Sequence, residues 1–331
     1  NAICLPAHNY DAYPEIAVQI SPVNDNASQK ALKSELQFFE QFKNMPGISK
    51  VYTQTAYMEG RVQKFSIIAK RASGDLQKHI QQKREVPFAV QLKAAKSLTS
   101  FFQAMHKDGF IYGDIKGDNI LTYDDGEVGV TDFGMSFNYR KNGIKDSEGG
   151  AEFRDGFYGT VRCTAPELFA NKGFAIEAEE GGFAKADCFA LGTVLYNLHF
   201  RSAPPWENLL HAFRQVCWGK PEEYAKLKEE MKSMPAADQA AIKKFLKACI
   251  AKRNKDKKIT EDDIAAMQNK IKLYFIAQVK KTVEPEWKRL NKKAPRSADE
   301  EYQLLIYSLL RLEPKDRLDM EEVREALEAI R

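Results

Sequence analysis

Two carboxylates, an amide and an ammonium group share one nineteen-residue stretch: Asp114, Lys116, Asn119 and Asp132. They stand in Y-G-D-I-K-G-D-N-I-L at Tyr112–Leu121 and in T-D-F-G at Thr131–Gly134. Phosphoryl transfer asks little covalent chemistry of a protein. It asks for positioning, for charge neutralisation through a metal ion, and for an oriented acceptor hydroxyl. Oxygen-rich and ammonium side chains are the types that meet those needs. A turn rich in Asp, Gly and Asn would produce some of the same letters. The D-x-K-x-x-N spacing, followed by D-F-G thirteen residues after Asn119, is more specific than any turn requires.

A third motif, G-T-V-R-C-T-A-P-E at Gly159–Glu167, follows in the order expected of one family. On these motifs the chain resembles the protein kinase superfamily, in its serine/threonine branch. The resemblance implies transfer of the γ-phosphoryl group of ATP to a protein hydroxyl, with ATP and Mg²⁺ as cofactors. It implies that Asp114 accepts the substrate hydroxyl proton, that Lys116 sits beside the transferring group, and that Thr160 braces both. Asn119 and Asp132 would supply oxygens to the metal. Glu167 should pair with Arg317, in P-K-D-R-L, and Asp187 would anchor the catalytic-loop backbone from a buried helix. In the small lobe, Ile16–Gln19 resembles the V-A-I-K strand, with Ala17 over the adenine and Gln19 where the phosphate-holding lysine belongs. Glu35 would be its helix partner. Phe39 would stack towards Phe133 and Tyr112, and Leu121 would form the floor of the adenine pocket. Residues Ala69–Ala72, with Ala69 and Arg71 as base contacts, would be the hinge.

The chain also departs from the pattern. Gln19 lacks the charge that would hold the α- and β-phosphates, which removes a few kcal/mol of transition-state stabilisation. Three explanations compete: an engineered Lys-to-Gln replacement, a natural pseudokinase or weak kinase, and a substitute lysine from elsewhere. The intact Asp114, Lys116, Asn119 and Asp132 argue against a long-standing loss of catalysis. No glycine precedes Gly47, so no phosphate-covering glycine loop is visible. In this the chain resembles divergent kinases that lack the loop, some of them effectors secreted by intracellular parasites. Gly113 stands where many kinases carry the arginine that pairs with a phosphorylated activation loop. Activation by phosphorylation there is therefore not expected.

The elements that must position these residues are legible from periodicity. Glu15–Ser21 is a β-branched run, and Ser49–Tyr57 and Lys64–Lys70 read as strands. Ala27–Lys43 has Leu32, Leu36, Phe39 and Phe42 at helical spacing. After Ser73-Gly74 the character becomes helical. Asp75–Gln82 and Pro87–Lys107 read as helices, the second with an apolar stripe of Phe88, Leu92, Ala95, Phe102 and Met105. Ala184–Phe200 is apolar nearly all round, as a buried helix would be, and Tyr302–Leu312 and Met320–Ile330 close the chain. The expected fold is α+β and bilobal: a small β-rich lobe over 1–72 and a large helical lobe over 73–331, with an activation segment at 132–167.

At 331 residues the chain suits such a two-lobed enzyme, and 44% hydrophobic with 29% charged residues is ordinary globular composition. Five scattered cysteines form no C-x-x-C pair, which implies a reducing compartment and no structural zinc. The apolar run at Cys188–Leu198 is too short to span a bilayer. The expected location is therefore cytoplasmic, or the cytoplasm of a host cell into which the protein is secreted. The first residue is Asn1 rather than methionine, as expected of a processed or excised start.

One region looks like an addition. Over 235–298, Ile242, Phe245, Leu246 and Cys249 mark one amphipathic helix, and Ile264, Met267, Ile271 and Tyr274 another. Residues 241–298 hold seventeen Lys/Arg against six Asp/Glu, while the whole chain carries only +4. The densest cluster is Lys252–Lys258. This suits a docking surface for an acidic protein or an anionic surface, or simply a solvated face. Its lack of interleaved aromatics speaks against nucleic acid. A pseudokinase scaffold acting through this region is the alternative to an active kinase. A small-molecule kinase would share the aspartate and metal ligands, but the G-T…A-P-E segment and Arg317 speak against it.

Overall fold

The computed structural model describes residues 3–5, 16–23, 38–59, 62–82, 85–138, 163–169, 182–207 and 261–330, together with 232, 236, 239, 240 and 243. The chain forms two compact units, Asn1–Glu152 with Met320–Arg331, and Phe153–Asp319. The expected boundary at 72/73 lies inside the first unit.

The first unit opens with a four-stranded antiparallel sheet. Strands β1 (Ile3–Leu5), β2 (Ile16–Val23), β3 (Val51–Glu59) and β4 (Val62–Lys70) pair in the order β1-β2-β4-β3. Three of these were expected: β2 and β4 run longer than their sequence patterns, and β3 has the expected length but lies two residues further along the chain. Strand β1 was not expected, because three residues are too few to show alternation. Pro22 fits in β2 because β1 pairs only with Val18–Ile20, so no ladder bond is asked of its missing N–H on that side.

Helix α1 (Leu76–Gln81) follows the two-residue strand β5 (Gly74–Asp75), and the Asp75 side chain caps it by accepting from the Lys78 N–H at 2.8 Å. Helix α2 (Phe88–Lys107) begins after Pro87 and ends at Asp108–Gly109, where Gly109 takes φ +81°. Its buried face is Ala94, Ala95, Leu98, Phe101, Phe102 and Met105, while Phe88 and Leu92 lie at the margin. Gln91 is buried there as well, its Nε2 donating to the Val86 carbonyl at 2.8 Å.

Four short strands complete this unit: β6 (Phe110–Ile111), β7 (Ile120–Thr122), β8 (Val128–Val130) and β9 (Phe137–Asn138). Strands β5, β7 and β8 form a three-stranded sheet, and β6 pairs with β9. The helix expected over 27–43 is described from 38 onward; it is helical over 38–42 and has become a turn at Lys43.

The second unit is built on helix α3 (Gly182–Phe200), buried on nearly every side as its composition requires. Gly192 lets a neighbour approach: a Cβ there would lie 2.7 Å from Leu309 Cβ. Helix α4 (Glu261–Lys292) buries Phe275, Val279, Val283 and Leu290 along one face. It accounts for the second expected helix of the basic region; the first, at 242–249, lies outside the described residues apart from Lys243, as does the Lys252–Lys258 cluster. Helix α5 (Ala298–Leu309) starts with a capping box, Ser297 Oγ accepting from the Glu300 N–H and Glu300 Oε2 from the Ser297 N–H. Trp206 is fully buried, its ring 6.3 Å from that of Phe189 and 5.7 Å from that of Phe275. The last helix, α6 (Met320–Ala329), belongs to the first unit and packs on α2. Among the described residues no helix is long and apolar enough to cross a membrane. Cys163 and Cys188 are buried outside any disulfide, and burial pushes the Cys188 thiol up to about 12.

His199, near the end of α3, gives the fold a pH dependence. Burial holds it below the ordinary value of 6.5, with Asp299, 3.6 Å away, offsetting part of the effect. The unfolded chain therefore takes up this proton before the folded one does. Stability tied to His199 is complete above pH 6.5 and declines as pH falls below that value, until the folded-state pKa is passed. Urea unfolding at roughly pH 7.5 and pH 5.5 should show a larger loss for the parent than for His199→Gln. Equal losses would contradict this.

Candidate active site

Antiparallel pairing brings the chemistry-bearing residues together. Ile120 of β7 lies opposite Val130 of β8, so the residue before β7 and those after β8 meet at one end of the hairpin. The Thr131 N–H donates to the Asn119 carbonyl at 3.0 Å. The pairing of Ile111 with Phe137 likewise brackets the loop that begins at Tyr112 and the segment that ends at Ser136. The Tyr112 hydroxyl donates to the Thr131 carbonyl at 2.5 Å, and Ser136 Oγ to the Tyr112 carbonyl at 3.1 Å. Two segments some twenty residues apart are thus sewn into one platform.

On this platform Asp114 is buried, at 8% exposure. Lys116 Nζ donates to its Oδ2 at 2.6 Å. Asn119 Nδ2 donates to the same Oδ2 and to the Asp114 carbonyl, each at 3.1 Å. Two donors on one oxygen fix the plane of the carboxylate. Asn119 is itself 5% exposed and spends its amide nitrogen on Asp114, so its Oδ1 is the atom left to face a cation.

Asp132 is exposed and adopts φ +64°, a left-handed conformation that Asp tolerates at some cost. Its Oδ1 accepts from the Gly134 N–H at 3.3 Å. Gly113, one residue before Asp114, has φ +80°, where glycine carries no Cβ penalty. Among the described residues no group of three or more His, Cys, Asp or Glu is placed to hold a metal alone. An amide oxygen and a carboxylate at the end of one hairpin suit a hard cation that takes its other oxygens from phosphate and water.

Next to Asp132, Phe133 is fully buried in an aromatic cluster. Phe39 meets it edge-on at 5.0 Å and Tyr112 at 5.6 Å, as expected. Phe38 stacks on it at 5.7 Å and Phe101 lies edge-on at 6.0 Å. Sequence reading missed Phe38: a helical face was drawn through Phe39, and adjacent residues are not expected to share one.

The residues expected around a nucleotide base form a second set. Ala17 lies directly opposite Ala69 on β2 and β4, and Gln19 lies opposite Ile67 of β4 and Cys4 of β1. Leu121 is half-buried in β7, opposite Gly129 and Asp75, and Arg71 is exposed just past β4. Glu35 and Thr160 lie outside the described residues, as does most of the expected activation segment.

In the second unit the Glu167–Arg317 pair forms across 150 residues. Arg317 NH1 and NH2 reach the two carboxylate oxygens at 2.7 and 3.1 Å, a bidentate geometry. Asp187 is buried at 3% exposure on α3.

A family model described as a protein kinase domain matches residues 5–327. The protein kinase C zeta type of Oryctolagus cuniculus is 27% identical over 199 residues, 59% of this chain and 30% of that protein. The atypical protein kinase C of Drosophila melanogaster is 31% identical over 134 residues, 40% of this chain and 20% of that protein. The serine/threonine-protein kinase RUNKEL of Arabidopsis thaliana is 30% identical over 165 residues, 49% of this chain and 11% of that protein. The chain thus spans less than a third of the length of each of these relatives.

Proposed function

Because the chain belongs to the protein kinase family, we propose that it transfers the γ-phosphoryl group of ATP to a serine or threonine hydroxyl of a protein substrate. The observation that carries this reading is the Asp114 carboxylate held by both Lys116 and Asn119, at 2.6 and 3.1 Å. In this reading residues 1–72 form the small lobe and 73–331 the large one.

Asp114 accepts the proton of the acceptor hydroxyl and orients its oxygen for in-line attack. Lys116 holds that carboxylate turned to one side, and places positive charge where the transferring group develops negative charge. Asn119 Oδ1 and the Asp132 carboxylate would hold Mg²⁺, and Thr160 would brace the loop from the activation segment. When bound with ATP, Mg²⁺ supplies charge neutralisation across the phosphates. Ala17, Leu121 and the backbone at Ala69 and Arg71 enclose the base, while Gln19 and Glu35 stand where a lysine and its carboxylate partner would tether the phosphates. Gly113 has the backbone φ that this loop position demands but no guanidinium to read a phosphorylated segment, so the enzyme works without that modification. The scattered cysteines suit a reducing cytoplasm, that of the source cell or of a host.

Gln19 is expected to leave turnover weak. Restoring lysine there should raise incorporation of labelled phosphate by about 10–100-fold, the worth of one charge-assisted contact. No rise, with Mg²⁺–ATP still shifting the unfolding midpoint, would show that another group already does this work.

A second reading has one specific observation in its favour. Lys280, Lys281, Lys288 and Lys292 of α4 are exposed, and among the described residues no carboxylate pairs with them. By contrast Arg289, Lys293 and Arg296 are neutralised by Glu286, Glu300 and Glu301. Such a face would let a pseudokinase hold an acidic protein or an anionic surface.

A further inference from the structure

Three lysines from three separate elements converge on the turn between β7 and β8. Lys70, the last residue of β4, donates Nζ to Asp125 Oδ2 at 2.7 Å and lies over the Tyr123 ring at 4.8 Å from its centroid. Lys50, which precedes β3, donates Nζ to Glu127 Oε2 at 2.5 Å. Lys93 of α2 donates Nζ to the Asp125 carbonyl at 3.2 Å.

The turn they grip is itself stiff. The Gly126 N–H donates to the Tyr123 carbonyl at 3.0 Å and the Glu127 N–H to Asp125 Oδ1 at 3.0 Å. Tyr123 is buried at 4% exposure beneath the Lys70 ammonium. Backbone bonds run beside the side chains: the Lys70 N–H donates to the Lys50 carbonyl at 2.8 Å, and the Ser73 N–H to the Thr122 carbonyl at 2.8 Å. Residues 70–73 are the covalent bridge between the four-stranded sheet and the sheet that leads from Asn119. The bridge is tied at Lys70, at Ser73 and, through Lys50, at the neighbouring strand.

We propose that Lys50, Lys70 and Lys93 clamp the Asp125–Glu127 turn as a positioning device, fixing the 69–72 backbone against the β7–β8 hairpin so that the nucleotide base and the metal-ligating end of the hairpin keep register. The part concerning the base rests on the functional reading given above. None of the five side chains is a catalytic residue; they act through the backbone they hold.

Single exposed ion pairs contribute little. Lys70 and Asp125 are part of a network on a rigid turn, with an aromatic face adding to one member. The hydrogen bond between them holds the Lys70 ammonium above its ordinary pKa and the Asp125 carboxyl below its own. A network of this kind weakens with salt.

The test is amide hydrogen exchange of the whole chain without nucleotide, together with the Kd of a fluorescent ATP analogue with Mg²⁺. Asp125→Asn should speed exchange at the Lys70 and Ser73 amides about two- to fivefold and weaken nucleotide binding by a similar factor. Salt at about 1 M should do the same to the parent and little to the variant. The exchanged pair Lys70→Asp with Asp125→Lys should recover both quantities, which a merely structural loss would not. Unchanged exchange in Asp125→Asn overturns the clamp. Faster exchange with unchanged affinity overturns its positioning role. If the parent and Gln19→Lys bind no nucleotide while exchange still responds, the base-site reading fails and the clamp stands as a restraint on the bridge alone.

Discussion

In a chain carrying Gln19→Lys, Asp114→Asn lowers phosphoryl transfer by about 10²–10⁴-fold, the range for removing a positioned general base. Asparagine keeps the shape of the side chain, and its amide oxygen can still accept from Lys116. What it loses is the negative charge that, in the proposed mechanism, receives the hydroxyl proton and draws the acceptor oxygen into line. The loss should fall on kcat, with the KM for ATP little changed, because the proposed mechanism has Asp114 serve the acceptor rather than the nucleotide. Asp114 is buried and its carboxylate is hydrogen-bonded to two side chains, so a change of charge disturbs a tight local network as well as the chemistry. Unfolding midpoints measured alongside separate the two effects. A rate within about threefold of the parent would exclude Asp114 as the base.

Arg317→Met destabilises the fold by about 3–5 kcal/mol, the range for breaking a buried ion pair. The Arg317 side chain has no exposed surface, and its guanidinium makes five hydrogen bonds. Two go to Glu167; the others go to the carbonyls of Lys185 at 2.6 Å, Arg311 at 3.1 Å and Leu312 at 3.3 Å. It also lies 5.0 Å over the Phe189 ring. Methionine fills much of the volume but leaves a half-buried carboxylate and three carbonyls without their donor. Lysine would be no rescue, since one ammonium cannot reproduce a bidentate fork. Glu167→Leu alone should be costly for the converse reason, while Arg317→Met with Glu167→Leu together should cost less than the sum of the two. Equilibrium unfolding in urea measures all three. A loss below about 1 kcal/mol for Arg317→Met would mean that the pair is idle.

Long-range pairs were readable where motif chemistry specified both ends. The Glu167–Arg317 contact joins residues 150 apart, and no periodicity argument could have found it; the A-P-E and P-K-D-R-L motifs did. Helices with strong apolar stripes were readable as well, since α3 and α6 begin and end within about two residues of their sequence signals. What escaped was of two kinds. Strands of two or three residues, such as β1 and β5–β9, are too short for alternation to register, yet β7 and β8 are what bring Asn119 towards Asp132. Contacts made by side chains with no motif also escaped. Lys70 and Asp125 are ordinary charged letters, and nothing in their spacing announces that a strand end will meet a hairpin turn. In α2 the expected stripe was offset: Phe88 and Leu92 lie at its margin, because the buried face follows Gln91, Ala94 and Leu98. A buried glutamine defeats a reading based on hydrophobicity alone.

The most direct measurement is phosphoamino-acid analysis after incubating the Gln19→Lys chain with γ-labelled ATP, Mg²⁺ and a generic basic protein. The account predicts label on serine or threonine, lost in Asp114→Asn and in Asp132→Asn, and weaker but present in the chain with Gln19. Label that persists undiminished without Asp114, or no label although nucleotide binds, would contradict it.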